Sequence, residues 1–266
     1  MDVADGAYGT LLQQHLHGDE TVDDLCVRMP SVVVDAHRAY LEAGATTLQS
    51  NAFLAHLRGS RRRRDALQLA ALRCVRDAVE LTDGLDRASI TVTATIGPVG
   101  SEPRDYWRDV ELVLDDGVQA VQFETATSTH IARAMASAWQ DVAAGVSDVA
   151  ARIGCSITPE PGEAVHGGVL ALADSLPDSI DLGLNCCAGP AGLRSTLERL
   201  CELRGSAWVM PSAGVPERTA GRTRWPFADP AEWATRVLEE IDGLPVTLVG
   251  GCCGTTPEHI AVLRGS

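Results

Sequence analysis

Lysine is missing altogether: the 22 basic residues of this 266-residue chain are all arginine. No Schiff base can form on a lysine, and no Walker lysine can reach a phosphate, so lysine-dependent aldolases, pyridoxal enzymes and P-loop NTPases are excluded. Aromatic residues are scarce at 4%, which argues against a ligand surface built from stacked rings. Positive charge is also short, with 36 acidic against 22 basic residues and a formal net charge of −14. Such a field repels nucleic acid and acidic membranes and leaves small molecules as the expected partners. No stretch approaches 18 uninterrupted apolar residues, and the opening MDVADGAYGT has no basic segment leading into an apolar one. These absences predict a cytoplasmic protein without a membrane span.

What is present is a chain of 45% apolar and 22% charged residues, suited to one large domain over 1–266. Eight short runs read as buried strands: 2–5, 46–50, 90–96, 119–124, 151–157, 180–185, 206–211 and 245–250. Between them, apolar residues recur at three- and four-residue steps, most clearly from Ser31, Asp65, Gly192 and Pro230, the spacing of amphipathic helices. Strand followed by helix, eight times over, predicts a closed (β/α)8 TIM barrel. The irregular stretches 10–30, 97–105 and 211–229 follow predicted strands, where barrel enzymes carry active-site loops. The run Arg61 to Arg64 reads as a solvated face.

Eight cysteines without a secretion signal read as reduced thiols or metal ligands. Two pairs are adjacent in sequence, Cys186-Cys187 and Cys252-Cys253, a spacing that relaxed disulfide geometry rarely tolerates. The segment GGCCGTTPEHI, Gly250 to Ile260, closes the last predicted strand. Successive strand side chains point to opposite faces, so two neighbouring thiolates can meet one ion only if the chain bends, and Gly250, Gly251 and Gly254 permit that bend. The capping spacing from Thr255 to Glu258, with Pro257 between them, predicts a helix starting beside the thiols. Its positive end favours thiolate.

Cys186, at the end of the sixth predicted strand, is the candidate third ligand; Cys187 is a candidate fourth, but pleat alternation points it away from Cys186 and favours packing. Three protein ligands and an open fourth position describe a catalytic zinc site. Three thiolates around Zn2+ carry one net negative charge, which suits activation of a substrate thiol for alkylation better than hydrolysis. Cys26, Cys74, Cys155 and Cys201 read as small buried hydrophobes.

The chain resembles the homocysteine S-methyltransferase family, which includes betaine-homocysteine methyltransferase and the homocysteine-binding module of cobalamin-dependent methionine synthase. The resemblance runs through DGAYGT from Asp5, AGATTLQSNAF from Ala43, IGPVG from Ile96, QFET from Gln122, GLNC ending at Cys186, MPSAG from Met210 and GGCCGTTPEHI. It implies that Cys186, Cys252 and Cys253 bind zinc, that the homocysteine sulfur takes the open position, and that Asp5 and Glu124 hold the homocysteine amino group. From the residues alone, Asp5 caps a turn or binds a ligand equally well, and Glu124 pairs with an arginine or binds a ligand equally well. His15, His17, His37, His56, His130, His166 and His259 receive no catalytic role. Ala52, Ser212 and Tyr8 stand where the family more often has Thr, Asn and Met.

The implied reaction is in-line transfer of a methyl group to the homocysteine thiolate, giving methionine. S-Methylmethionine is the expected donor, because no cobalamin- or folate-binding domain accompanies the barrel. The alternatives are a separate methyl-corrinoid protein, betaine, a selenol acceptor, or a zinc- and thiol-binding relative without catalysis.

Overall fold

The structure, a computed structural model, describes residues 1–57, 59–146, 148–156, 167–219 and 222–265. Chain order runs β1 (Asp2–Val3), α1 (Tyr8–Leu11), α2 (Leu25–Arg28), α3 (Pro30–Glu42), β2 (Thr47–Gln49), α4 (Arg61–Leu81), β3 (Thr91–Ile96) and α5 (Arg104–Asp115). It continues through β4 (Ala120–Ala126), α6 (Thr129–Val142), β5 (Ala150–Cys155), α7 (Gly167–Ala173), β6 (Ile180–Asn185), α8 (Arg194–Arg204) and β7 (Ala207–Met210). A short hairpin, β8 (Glu217–Thr219) and β9 (Arg222–Arg224), precedes α9 (Pro230–Ile241), β10 (Val246–Val249) and α10 (Pro257–Gly265).

Eight of these strands form one parallel sheet in the order β1-β10-β7-β6-β5-β4-β3-β2. A parallel bridge between Ala4 and Thr47 joins the two ends, with Thr46 N donating to Val3 O at 2.7 Å and Asp5 N to Thr47 O at 3.1 Å. The result is the predicted (β/α)8 barrel, with every expected strand found to within a few residues. Position 157, the expected end of the fifth strand, and His166 lie outside the described residues. No helix among the described residues is long and apolar enough to cross a membrane.

The sequence builds the helices by familiar local chemistry. Ser60, Ser128 and Asp229 accept backbone N–H bonds at the starts of α4, α6 and α9, satisfying donors that an unpaired first turn leaves open. Gly205 closes α8 at φ +79°, a backbone state that costs glycine little. Inside the barrel, Trp208 fills the lumen against β5 and β6. A Cβ on Gly154 would lie 2.8 Å from the Trp208 ring, and one on Gly183 would collide with it, so both strands need glycine there.

Two local expectations change. The arginine run forms the first turn of α4, which begins four residues before Asp65, and its side chains tie elements together. Arg63 reaches the buried Asp24 at 2.7 Å, while Arg61 and Arg64 both pair with Asp109 of α5. The expected cap of α10 shifts by one residue: Thr256 precedes Pro257, Thr256 N donates to His259 Nδ1 at 3.2 Å, and Thr256 Oγ1 donates to Glu258. Thr255 is thereby free to serve the cysteine loop.

Candidate functional site

The C-terminal ends of the barrel strands surround a cavity of about 440 Å³ lined by residues from the β1, β2, β4, β6 and β10 ends. The stretch 10–30 contributes Thr10, Gln13, Leu16, Glu20, Thr21 and Val22, though it is largely wound into short helical turns. The stretches 97–105 and 211–229, also expected as active-site loops, supply none of the lining residues among their described residues. The first packs on itself through Tyr106 Oη donating to Gly100 O at 2.7 Å. The second braces the cysteine loop from outside, with Ala213 N donating to Cys253 O at 2.8 Å.

Three sulfurs meet at the cavity wall. Cys186, Cys252 and Cys253 offer Sγ atoms that all lie within 4.8 Å of one another, and these residues are half-buried. β10 ends at Val249, and the chain turns through Gly250 and Gly251, whose missing side chains admit Ala4 and Thr255. Gly254 continues the turn at φ +84°. Thr255 Oγ1 donates to Cys252 O at 2.7 Å and accepts from Ala7 N at 3.3 Å, while Gly254 N donates to Thr10 Oγ1 at 3.1 Å. The last loop is thus stitched to the first.

Cys186 arrives differently. It stands one residue beyond β6 with φ +52°, an unusual state for a non-glycine residue that is found often at functional sites. Its backbone is pinned by N–H donation to Met210 O at 3.1 Å and by Ser156 Oγ donating to its carbonyl at 3.0 Å. Cys187 is 3% exposed and packs in the apolar core. The reason is this left-handed turn after the strand, since pleat alternation stops at Asn185. Without a metal, hydrogen bonds from Cys186 and then Cys252 pull the Cys253 thiol down to about 3, and hydrogen bonding to Cys186 and Cys253 with burial holds Cys252 well above the usual thiol range.

Glu124 lines the same cavity. A register shift between Phe123 and Ala126 bulges β4, and Thr125 at its centre has φ +58°. The bulge is fixed by Thr125 N donating to Asn185 Oδ1 at 3.2 Å, and such irregularities re-aim side chains. The Gln49 and Gln122 side-chain amides both donate to Glu124 Oε1. Burial, and then the Cys253 charge, raise the Glu124 carboxyl to about 7. Its hydrogen-bond partners are thus two amides and not the arginine that the sequence leaves as the alternative.

Asp5 is fully buried and does not itself line the cavity. Its Oδ2 accepts from Tyr8 Oη at 2.6 Å and from Gln49 N at 2.7 Å, whereas Oδ1 is buried without a hydrogen-bond partner. Gln49 therefore touches both carboxylates, Asp5 through its backbone and Glu124 through its side chain. Gln49, Gln122, Asn185 and Tyr8 were not singled out as site residues from sequence. A signal existed for Gln122, which alternates with Glu124 on one strand face; Gln49 lies within the AGATTLQSNAF motif, which gave it no role.

Ser212 and Ala52 are buried and lie off the cavity. Ser212 Oγ donates to Cys187 O and, at 3.2 Å, to Gly214 O. Nothing in the structure explains Ala52.

The chain is 32% identical to methionine synthase of Mycobacterium leprae (strain TN) over 97% of its own length, and equally to that of Mycobacterium tuberculosis (strain ATCC 25618 / H37Rv). It spans only 24% of either relative. The metallated crystal structure of the homocysteine methyltransferase MmuM from Escherichia coli shares the fold at TM-score 0.73 and 21% identity, covering 100% of this chain and 96% of that one. The oxidized form gives 0.71 at 22% identity, covering 100% and 95%. Because the homocysteine S-methyltransferase model matches residues 2–266, taking in every strand of the barrel and all three clustered cysteines, the chain belongs to the homocysteine S-methyltransferase family.

Proposed function

We propose that this protein transfers a methyl group to the thiol of homocysteine, giving methionine, with zinc held by Cys186, Cys252 and Cys253. The observation that carries this reading is the convergence of three thiols on a cavity that also presents Glu124. The donor set fits zinc: sulfurs ~2.3 Å from a tetrahedral ion would lie roughly 3.8 Å apart, and Cys186 Sγ and Cys253 Sγ, now 3.4 Å apart, would need to spread only slightly to hold one. Three protein ligands leave a fourth position for the substrate sulfur. Zinc, when bound, supplies a Lewis acid that keeps a thiol deprotonated at neutral pH.

The chain's own residues do the rest. Glu124, aimed by Gln49 and Gln122, receives the substrate ammonium group, and the unpartnered oxygen of Asp5 adds negative charge behind it. Held at both ends, the amino acid presents its sulfur in line with the donor carbon. The new S–CH3 bond forms as the bond from carbon to the donor's positive sulfur breaks, and the donor leaves neutral, so no general acid is required. Consistent with that, His37 is buried and uncharged, with its ring lowered to about 3 by burial.

A cationic donor suits the cavity. Among the described lining residues there is no arginine or histidine. Glu20 is neutralised by Arg28 at 2.7 Å, which leaves Glu124 and, behind it, Asp5 as carboxyls that burial raises and that an arriving cation would draw into their charged form. S-Methylmethionine is the donor we favour, with betaine as a chemically similar alternative. Methylation from a separate methyl-corrinoid protein is a second reading, favoured by the match to methionine synthases over about a quarter of their length. Offering zinc-loaded protein homocysteine with each donor in turn separates these readings. Methionine from S-methylmethionine supports the first; methionine only from betaine or the corrinoid protein moves the donor; none from any of the three overturns the reading.

A further inference from the structure

Tyr8 and His37 form a buried polar pair that the chemistry above does not use. Tyr8 lines the cavity, and its hydroxyl donates to Asp5 Oδ2 at 2.6 Å. His37, with no exposed surface, places Nδ1 2.7 Å from the same hydroxyl. The rings stack at 4.4 Å with a 53° tilt, and Tyr40 meets Tyr8 edge-on at 5.3 Å. The hydroxyl has one proton and Asp5 takes it, so His37 must donate from Nδ1. This tautomer leaves Nε2 bare, in keeping with that atom's lack of any hydrogen-bond partner. The proton order is fixed from His37 through Tyr8 to Asp5.

Asp5 Oδ2 thus has two donors, Tyr8 Oη and Gln49 N, while Oδ1 has none. Burial raises the Asp5 carboxyl well above the usual carboxylate range, and the hydrogen bonds from Tyr8 and then Gln49 oppose that rise by replacing part of the lost hydration of the charged form. We propose that Tyr8 is a positioning residue for the substrate amino group: its hydroxyl, oriented by His37, saturates Asp5 Oδ2 and favours the carboxylate form, whose charge then stands behind the ammonium ion that Glu124 receives. This rests on the proposed homocysteine reading and extends it to two residues outside the metal site. Tyr8→Phe removes the hydroxyl while keeping the ring that packs on His37 and Tyr40. It leaves the buried His37 N–H without an acceptor, which costs stability, and takes from Asp5 Oδ2 one of its two donors.

The test is calorimetric titration of zinc-loaded wild type and Tyr8→Phe with homocysteine and with 4-mercaptobutyrate, its counterpart lacking the amino group. Zinc content checks that the variant is folded. The proposal expects Tyr8→Phe to weaken homocysteine by tenfold or more and to leave 4-mercaptobutyrate unchanged. Equal weakening of both thiols, or no weakening of homocysteine, overturns it while the amino-group reading stands. If wild type itself binds the two thiols equally, that reading fails and this proposal with it. Should Tyr8→Phe lose its metal, His37→Gln, one step further from the cavity, must show the same selective loss in smaller degree, and its absence overturns the proposal.

Discussion

Cys186 Sγ lies 3.4 Å from Cys253 Sγ across 67 residues of sequence. The two reach that distance by unlike routes: one through a strained left-handed residue after β6 and the other through a glycine-rich turn after β10. Cys187, next in sequence to one of them, is turned into the core. Neighbourhood in sequence therefore does not decide which thiols are available to a metal.

Replacing Cys252 or Cys253 with alanine is expected to remove most of the zinc, since a two-sulfur site loses much of its affinity. Cys187→Ala is expected to retain one zinc per chain. Metal analysis of the three purified variants reads this directly, and equal loss in all three would contradict the ligand assignment.

Glu124→Gln preserves shape and removes charge. Zinc content is expected to stay at the wild-type level while homocysteine binding weakens by ~1.5–3 kcal/mol, the scale of a hydrogen bond to a charged group. Titration of homocysteine into the variant measures it, and unchanged affinity would remove Glu124 from the amino-group subsite.

His37 gives the fold an acid sensitivity. Burial lowers its pKa from 6.5 to about 3, so below pH 6.5 the unfolded chain takes up a proton that the folded chain refuses. The folded state is therefore fully favoured above pH 6.5 and loses stability as pH falls toward 3, by at most about 1.4 kcal/mol per pH unit. Urea unfolding of wild type and His37→Gln across this window should show a shallower pH dependence in the variant. Parallel pH profiles would contradict the prediction.

Gly154→Ala is expected to destabilise the barrel by about 1–3 kcal/mol, the usual cost of overpacking. The new methyl would press on the Trp208 ring, 2.8 Å from the ideal Cβ position, and more closely still on the Asn185 side-chain oxygen. Because Asn185 holds the bulge that aims Glu124, homocysteine affinity should fall alongside the unfolding midpoint. Loss of stability with unaltered affinity would show that Asn185 yields without disturbing the bulge.

The strand runs were legible because buried parallel strands are short apolar segments bounded by turn residues, and each lay within a few residues of its predicted place. The cysteine cluster was legible because thiols beside glycines at strand ends have few packing explanations. Other features depend on contacts between distant segments. Nothing local tells Arg63 that Asp24 lies within reach, or tells Gln49 that its backbone will meet Asp5 and its side chain Glu124. The cap of α10 moved from Thr255 to Thr256 because the Thr255 hydroxyl is used by Cys252 O and Ala7 N, a demand set by the first loop, about 250 residues earlier in the chain.

The central claim is that three cysteines hold zinc and leave one position for the thiol of homocysteine. Zinc K-edge X-ray absorption on the loaded protein, with and without homocysteine, tests it most directly. The account predicts three sulfur neighbours and one lighter atom without the amino acid, and four sulfurs once it is added. Four sulfurs beforehand, or three in both samples, would contradict it.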